Sequence, residues 1–231
     1  VNLGVEIGHM WFIYMLLGLY MLVPIISPWL EQCSKRQLQG YLGVWAFTTL
    51  LPYIHLWFPE VWGECFWNPT PMLHYFTGFA GYFVLGYYIK QYGALSVRNA
   101  LLLLVGGYFF TVAVYQYRLD RVTSISDLEI CWRFCNMNMM LMTYAFFSLV
   151  SRVKWQGNNA FGRWISSYAM LSYAVYFVHI MLINFWRDLL SESLAHVYYQ
   201  IPIITLCSFL SSYAVVWILS KLPKAKVWLG S

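Results

Sequence analysis

The sequence predicts an all-α fold, a polytopic membrane helical bundle with seven transmembrane helices in this chain. Three observations carry that prediction. Hydrophobic residues make up 61% of the 231 and charged residues only 10%, against about 25% charged in soluble domains, so a water-facing surface could not be covered. The apolar stretches run about 20 residues without interruption, the length a helix needs to cross roughly 30 Å of hydrocarbon. They also lack the alternation, in segments of about ten residues, that marks a transmembrane β-barrel.

In chain order the spans are Met10–Leu30, Gln39–Phe58, Met72–Ile89, Asn99–Tyr117, Cys131–Val150, Trp164–Trp186 and Gln200–Leu219. The first is a span and not a removable signal. No basic region precedes it, and "PIISPWLEQ" lacks a small-residue cleavage pattern. No connection exceeds 13 residues, which leaves room for one transmembrane domain over residues 1–231 and no inserted soluble domain. No internal repeat or low-complexity segment interrupts it.

The placement of Lys and Arg orients the bundle. The connections after spans one, three and five, with the tail, hold ten cations, from Lys35 and Arg36 to Lys221, Lys224 and Lys226. The opposite side holds three, Arg118, Arg121 and Arg187, with Arg133 just inside span five. The C-terminus is therefore expected in the cytoplasm and residues 1–9 outside. The net charge of +5 is mostly this topological signal, so the lipid bilayer is an expected partner and nucleic acid is not.

On that topology all five histidines fall in the outer half. His9 heads span one, His55 ends span two, His74 begins span three, and His196 lies in the last outer loop. His179, 15 residues into span six, reaches the outer third at about 1.5 Å per residue. A histidine is tolerated at any interface, yet five on one side favour an outward-facing polar site. In span six, Tyr168, Ser172, Tyr176 and His179 recur at i, i+4, i+8 and i+11, within about 80° of arc. Lipid cannot satisfy such a stripe, so it faces neighbouring helices or a wet cavity. Ordinary interhelical hydrogen bonding explains the tyrosines equally well.

Span five opens "CWRFCNMNMM", which puts Arg133 and Asn136 three apart on one helical face. Arg133 either snorkels to the interface as an anchor or binds an anionic group such as a carboxylate or a lipid phosphate. Cys131 and Cys135 and the other cysteines form no metal pattern, and no metal or bound cofactor is expected. A Cys65–Cys131 bridge across the outer loops is conceivable. The connection "WFPEVWGECFWNPTP" is aromatic and acidic. Its rings would stack on a sugar, although an interfacial belt is the favoured reading. Glu60 and Glu64 are candidate bases by proximity only. No phosphate loop, Ser-His-Asp order or paired-Cys motif appears.

Three segments carry a resemblance. "HMWFIYMLLGLYMLVPII", "GYFVLGYYI" and "SYAVYFVHIMLI" resemble, in order and spacing, the signatures of the membrane acyltransferase-3 family, O-acyltransferases of bacterial surface polysaccharides. The branch that acetylates enterobacterial common antigen is the nearest in flavour. The resemblance implies ten spans with both ends cytoplasmic, in the bacterial inner membrane. Seven spans starting outside are what remains if three are missing before Val1, so an absent N-terminal third is expected. The family's Arg and His on its first helix then have no counterpart here, which would leave this piece inactive alone. The implied reaction moves an acyl group, usually acetyl, from acyl-CoA as donor substrate to a hydroxyl of a glycan or lipid-linked saccharide. His9 is the expected base and Trp11 shapes its pocket. Arg133 and Asn136 supply cation and donor, and Tyr176 and His179 line the cavity.

Two rival classes are weighed on the sequence. A retinal protein needs a lysine in its last helix, and Gln200–Leu219 has none; "VYQYRLDRV" lies on the wrong side for a receptor switch. A transporter or flippase for a glycan or lipid-linked substrate is the stronger rival, since Pro24, Pro52 and Gly106-Gly107 permit broken helices.

Overall fold

The computed structural model describes residues 11–63, 70–153, 159–191, 194 and 196–223. Among these, every regular element is helical. Seven helices follow in order: α1 Trp11–Gln32, α2 Lys35–Trp57, α3 Ala80–Tyr92, α4 Val97–Leu119, α5 Met137–Val150, α6 Ala160–Leu190 and α7 Val197–Leu219. Four of them, α1, α4, α6 and α7, are long and apolar enough to cross a membrane. The chain is a helical membrane bundle, as its composition predicts.

Helix starts are written in side chains. Ser34 caps α2 through a capping box with Gln37, so the helix begins at Lys35 and carries Lys35 and Arg36 in its first turn. Ser96 accepts from Asn99 N at 3.2 Å, and Asn159 from Gly162 N at 2.6 Å, starting α4 and α6. Hydropathy ends where apolar residues end, whereas these helices continue into polar residues. That is why α6 runs 31 residues where 23 are expected.

Two expected spans are corrected. Met72–Ile89 is not one helix: α3 begins at Ala80, after a 3-10 turn at His74–Phe76 and left-handed backbone at Leu73 (φ 58°) and Gly78 (φ 87°). Cys131–Val150 begins as a helix only at Met137. The 13 and 14 residues of α3 and α5 rise about 20 Å, short of a full crossing. Apolar residues fill turns as readily as helices, so hydropathy alone cannot separate the two.

The chain divides into two compact units, residues 1–154 and 155–231. In the first, Trp45 of α2 is buried against Leu85, Ile89 and Met140, and its Nε1 donates to Gly78 O at 3.0 Å. The indole sits on Gly81, where a Cβ would come within 2.0 Å of the ring. Gly107 likewise admits Met142 between α4 and α5, with 2.5 Å left for a Cβ; small residues at contacts let membrane helices approach. Leu30, Leu38 and Val84 join α1, α2 and α3.

In the second unit α6 and α7 pack through Leu171, Ala174, Val175 and Val216. Polar pairs cross the seam: Tyr213 Oη to Ser167 Oγ and Trp186 Nε1 to Ser211 Oγ, each 3.0 Å. Gln200 ties the intervening loop by donating to Leu194 O at 2.7 Å and Ser191 O at 3.1 Å.

Candidate functional site

Residues 125–136 shape the candidate site of the first unit. Ile125–Leu128 form one helical turn and Glu129–Cys131 a 3-10 turn, after which the chain passes Arg133 to Asn136, at the N-cap position of α5. Backbone without a helical ladder must find other partners in a membrane protein, and side chains supply them. Asn136 Nδ2 donates to Ile130 O at 2.6 Å, Asn138 Nδ2 to Cys131 O at 2.7 Å, and the Tyr82 hydroxyl to Phe134 O. Tyr53 of α2 shares its hydroxyl proton between Asn138 Oδ1 at 2.8 Å and Ile130 O at 3.1 Å. Asn138 also donates to Thr111 Oγ1 of α4 at 2.7 Å. The two asparagines are buried, and together these bonds pin the turn to α2, α3 and α4.

Arg133 is thereby held at the surface between two cavities. One, about 460 Å³, is shared with Trp11, Phe79, Glu129 and Phe134; the Trp11 ring stacks on Phe134 at 5.3 Å and packs against Phe79 at 5.8 Å. The other, about 360 Å³, has His55, Trp62, Arg118 and Asp127 in its wall. Arg133 and Asn136 do not share a helical face, which corrects that expectation: both precede α5, Arg133 is exposed and Asn136 is buried. Cys131 and Cys135 precede α5 too. Burial raises both thiols, Cys135 to about 11, and the Arg118 guanidinium draws Cys131 partly back, so both stay protonated at neutral pH.

A further cavity of the first unit, about 750 Å³, lies beside the C-terminal end of α3, with Lys90, Gly93, Phe147 and Arg152 in its wall. Arg152 clamps the α3–α4 connection by donating to Ala94 O at 3.0 Å and to Leu95 O from Nε (3.0 Å) and Nη2 (2.6 Å).

In the second unit the span-six stripe lines one cavity of about 390 Å³: Tyr168, Ser172, Tyr176 and His179 from α6, facing Thr205, Ser208 and Ser212 from α7. The ring of His179 lies 5.3 Å from that of Tyr176, and its Nδ1 meets Tyr176 O. Ser208 Oγ and Ser212 Oγ are buried without a hydrogen-bond partner, although a serine hydroxyl in a helix normally finds one.

The structure therefore brings Trp11 and Arg133 to one cavity and Tyr176 and His179 to another, and places Asn136 in the support beneath Arg133. His9, Glu64 and the Cys65 half of the conceivable bridge lie outside the described residues. His55 shares a wall with Arg133; His74 and His196 are exposed, in a 3-10 turn and at the head of α7; Glu60 is exposed in the Pro59–Trp62 turn. Sequence reading missed Arg118, Lys90, Ser208 and Ser212. The serines were findable, because Thr205, Ser208 and Ser212 recur at helical spacing just as the span-six stripe does.

Residues 3–221 match the family model described as "Acyltransferase domain" (Acyl_transf_3), over both units. No curated protein and no solved structure matches the chain.

Proposed function

The chain belongs to the membrane acyltransferase-3 family, and from that premise we propose that it is an O-acyltransferase of the bacterial inner membrane. It would move an acyl group, acetyl in our reading, from acyl-CoA to a hydroxyl of a cell-surface polysaccharide or its lipid-linked precursor. The observation that carries this reading is the family match over residues 3–221. A thioester is already activated, so the protein must position it, take the hydroxyl proton and stabilise the oxyanion. The acceptor oxygen bonds to the acyl carbon, the C–S bond breaks, and the thiolate leaves to be protonated.

His9 is proposed as the base, a role typically worth about 10²–10⁴-fold. Its support is sequential: Trp11, two residues on, shares a cavity with Arg133, whose guanidinium suits a developing oxyanion or an acidic acceptor. Tyr176 and His179 are proposed to bind substrate, supported by a cavity that combines apolar walls with hydroxyls. On the charge-derived topology Lys90 and Arg152 face the cytoplasm, where a cationic cavity suits the phosphates of CoA.

The test uses membranes that contain the protein, radiolabelled acetyl-CoA and isolated surface glycan. An alkali-labile label should pass to the glycan and be abolished by His9→Ala at unchanged protein level. Label that appears equally in membranes without the protein would sink the reaction, and unchanged transfer in the variant would sink the role of His9.

A further inference from the structure

One cavity is not absorbed by that reading. Its wall holds two guanidinium groups, Arg118 from the end of α4 and Arg133 from the turn before α5, one carboxylate residue, Asp127, and His55 and Trp62 from α2 and the turn after it. Arg118 is fixed in place, because Nε and Nη2 donate to Asp127 O at 3.2 and 3.1 Å. That bond positions the guanidinium through a neutral carbonyl; the Asp127 carboxylate lines the same cavity without pairing with either arginine, so the wall carries two cations against one anion. Among the described residues neither arginine forms an ion pair; the one ion pair there is Arg187 with Asp188. The His55 ring packs on Trp62 with centroids 4.6 Å apart, and its Nδ1 is buried without a partner.

The two arginines repel across one cavity and a single carboxylate offsets only part of their charge. An anion in the cavity would answer the net positive charge of its wall. We propose that this cavity is a binding site for a phosphate monoester. Two guanidiniums on separate elements offer several N–H donors, which a phosphate with three oxygens uses better than a single carboxylate does. The packed His55 and Trp62 rings give a flat wall for the group that carries the phosphate. The same chemistry comes from a phospholipid headgroup or from a phosphorylated saccharide. The site stands whether or not an acyl group is transferred.

The experiment uses the purified full chain in maltoside detergent, with two pairs of probes. Native mass spectrometry compares retention of phosphatidic acid with phosphatidylcholine, and equilibrium dialysis compares glucose 1-phosphate with glucose. At least one phosphomonoester should be preferred about tenfold over its neutral counterpart. Arg133→Gln should cut that preference about fivefold, and Arg133→Lys should cut it less. Lys35→Gln, a cation elsewhere on the same unit, should leave it intact. Among the described residues Arg133 donates no hydrogen bond, so its variants are expected to keep the fold, whereas Arg118→Gln removes the bonds to Asp127 O. Preference for the lipid alone identifies a headgroup site, and preference for the sugar phosphate identifies an acceptor site. No preference for either probe, or one unchanged in Arg133→Gln, overturns the proposal. Acyl transfer measured on the same samples separates the two readings: transfer without phosphate preference removes this site and leaves the reaction standing.

Discussion

Asn138→Ala is the sharpest test of how the Arg133 turn is held. The Asn138 side chain is 1% exposed and makes three bonds: Nδ2 to Thr111 Oγ1 and to Cys131 O, both 2.7 Å, and Oδ1 from the Tyr53 hydroxyl at 2.8 Å. Hydrogen bonds within membrane proteins average about 0.6 kcal/mol and reach about 1.7, so three are worth about 2 kcal/mol. Two partners keep an alternative, since Tyr53 turns its proton to Ile130 O and Thr111 already donates to Gly107 O. Only Cys131 O is stranded, at a cost of about 1 kcal/mol or more. The total expected is about 3 kcal/mol, read as a lowered unfolding midpoint in detergent. Tyr53→Phe should cost about 1 kcal/mol, and because the two share a bond the double variant should fall short of additivity by about 0.5 kcal/mol or more. In the proposed reaction Asn138→Ala should lose activity beyond its loss of folded protein, since Arg133 is carried by the loosened turn. Strict additivity, or a midpoint equal to wild type, would refute the network as the support of Arg133.

Other residues give independent outcomes. Gly81→Ala places a Cβ within 2.0 Å of the buried Trp45 ring, so the indole must shift and its bond to Gly78 O is lost. A destabilisation of about 2–4 kcal/mol is expected, and an unchanged thermal midpoint would contradict the close approach of α2 and α3. Ser212→Ala removes a buried hydroxyl with no partner, so ligand-free stability should stay level or rise by up to about 1 kcal/mol; a clear fall would show that the hydroxyl is bonded. Lys90→Glu should raise KM for acyl-CoA about three- to tenfold with kcat nearly constant, the pattern of a lost binding contact. A change confined to kcat would remove Lys90 from donor binding.

Sequence legibility tracks how local the cause is. The stripe Tyr168, Ser172, Tyr176, His179 was readable because one helix fixes all four at known angles, and all four line one cavity. The class of the protein was readable because too few charges make any other surface untenable. Arg133 was readable as a cation of interest. Its helical partnership with Asn136 was misread, because the period of a helix was applied to residues that stand outside one. Nothing in "CWRFCNMNMM" states that its first six residues form turns. That follows from Tyr53, Tyr82 and Thr111, which lie 85, 52 and 27 residues away from their partners and satisfy what a helix would otherwise satisfy.

The same non-locality hid Arg118. On its helix it reads as one of three cations on the sparsely charged side, a topological mark and nothing more. It becomes a site residue only when the turn beyond Asp120 folds back, so that Asp127 O orients the guanidinium and Arg133 arrives beside it in one wall. The two arginines are 15 residues apart in sequence, and no spacing rule joins them. What joins them is a buried asparagine network, whose asparagines read in sequence as polar residues near a helix start. Positions of this kind, where hydrogen-bonding side chains replace a helical ladder at the end of a span, are where polar pockets open in a bundle. Lipid tolerates unladdered backbone only where protein covers it or water reaches it. The break at residues 131–136 and the cavities beside it therefore have one physical cause.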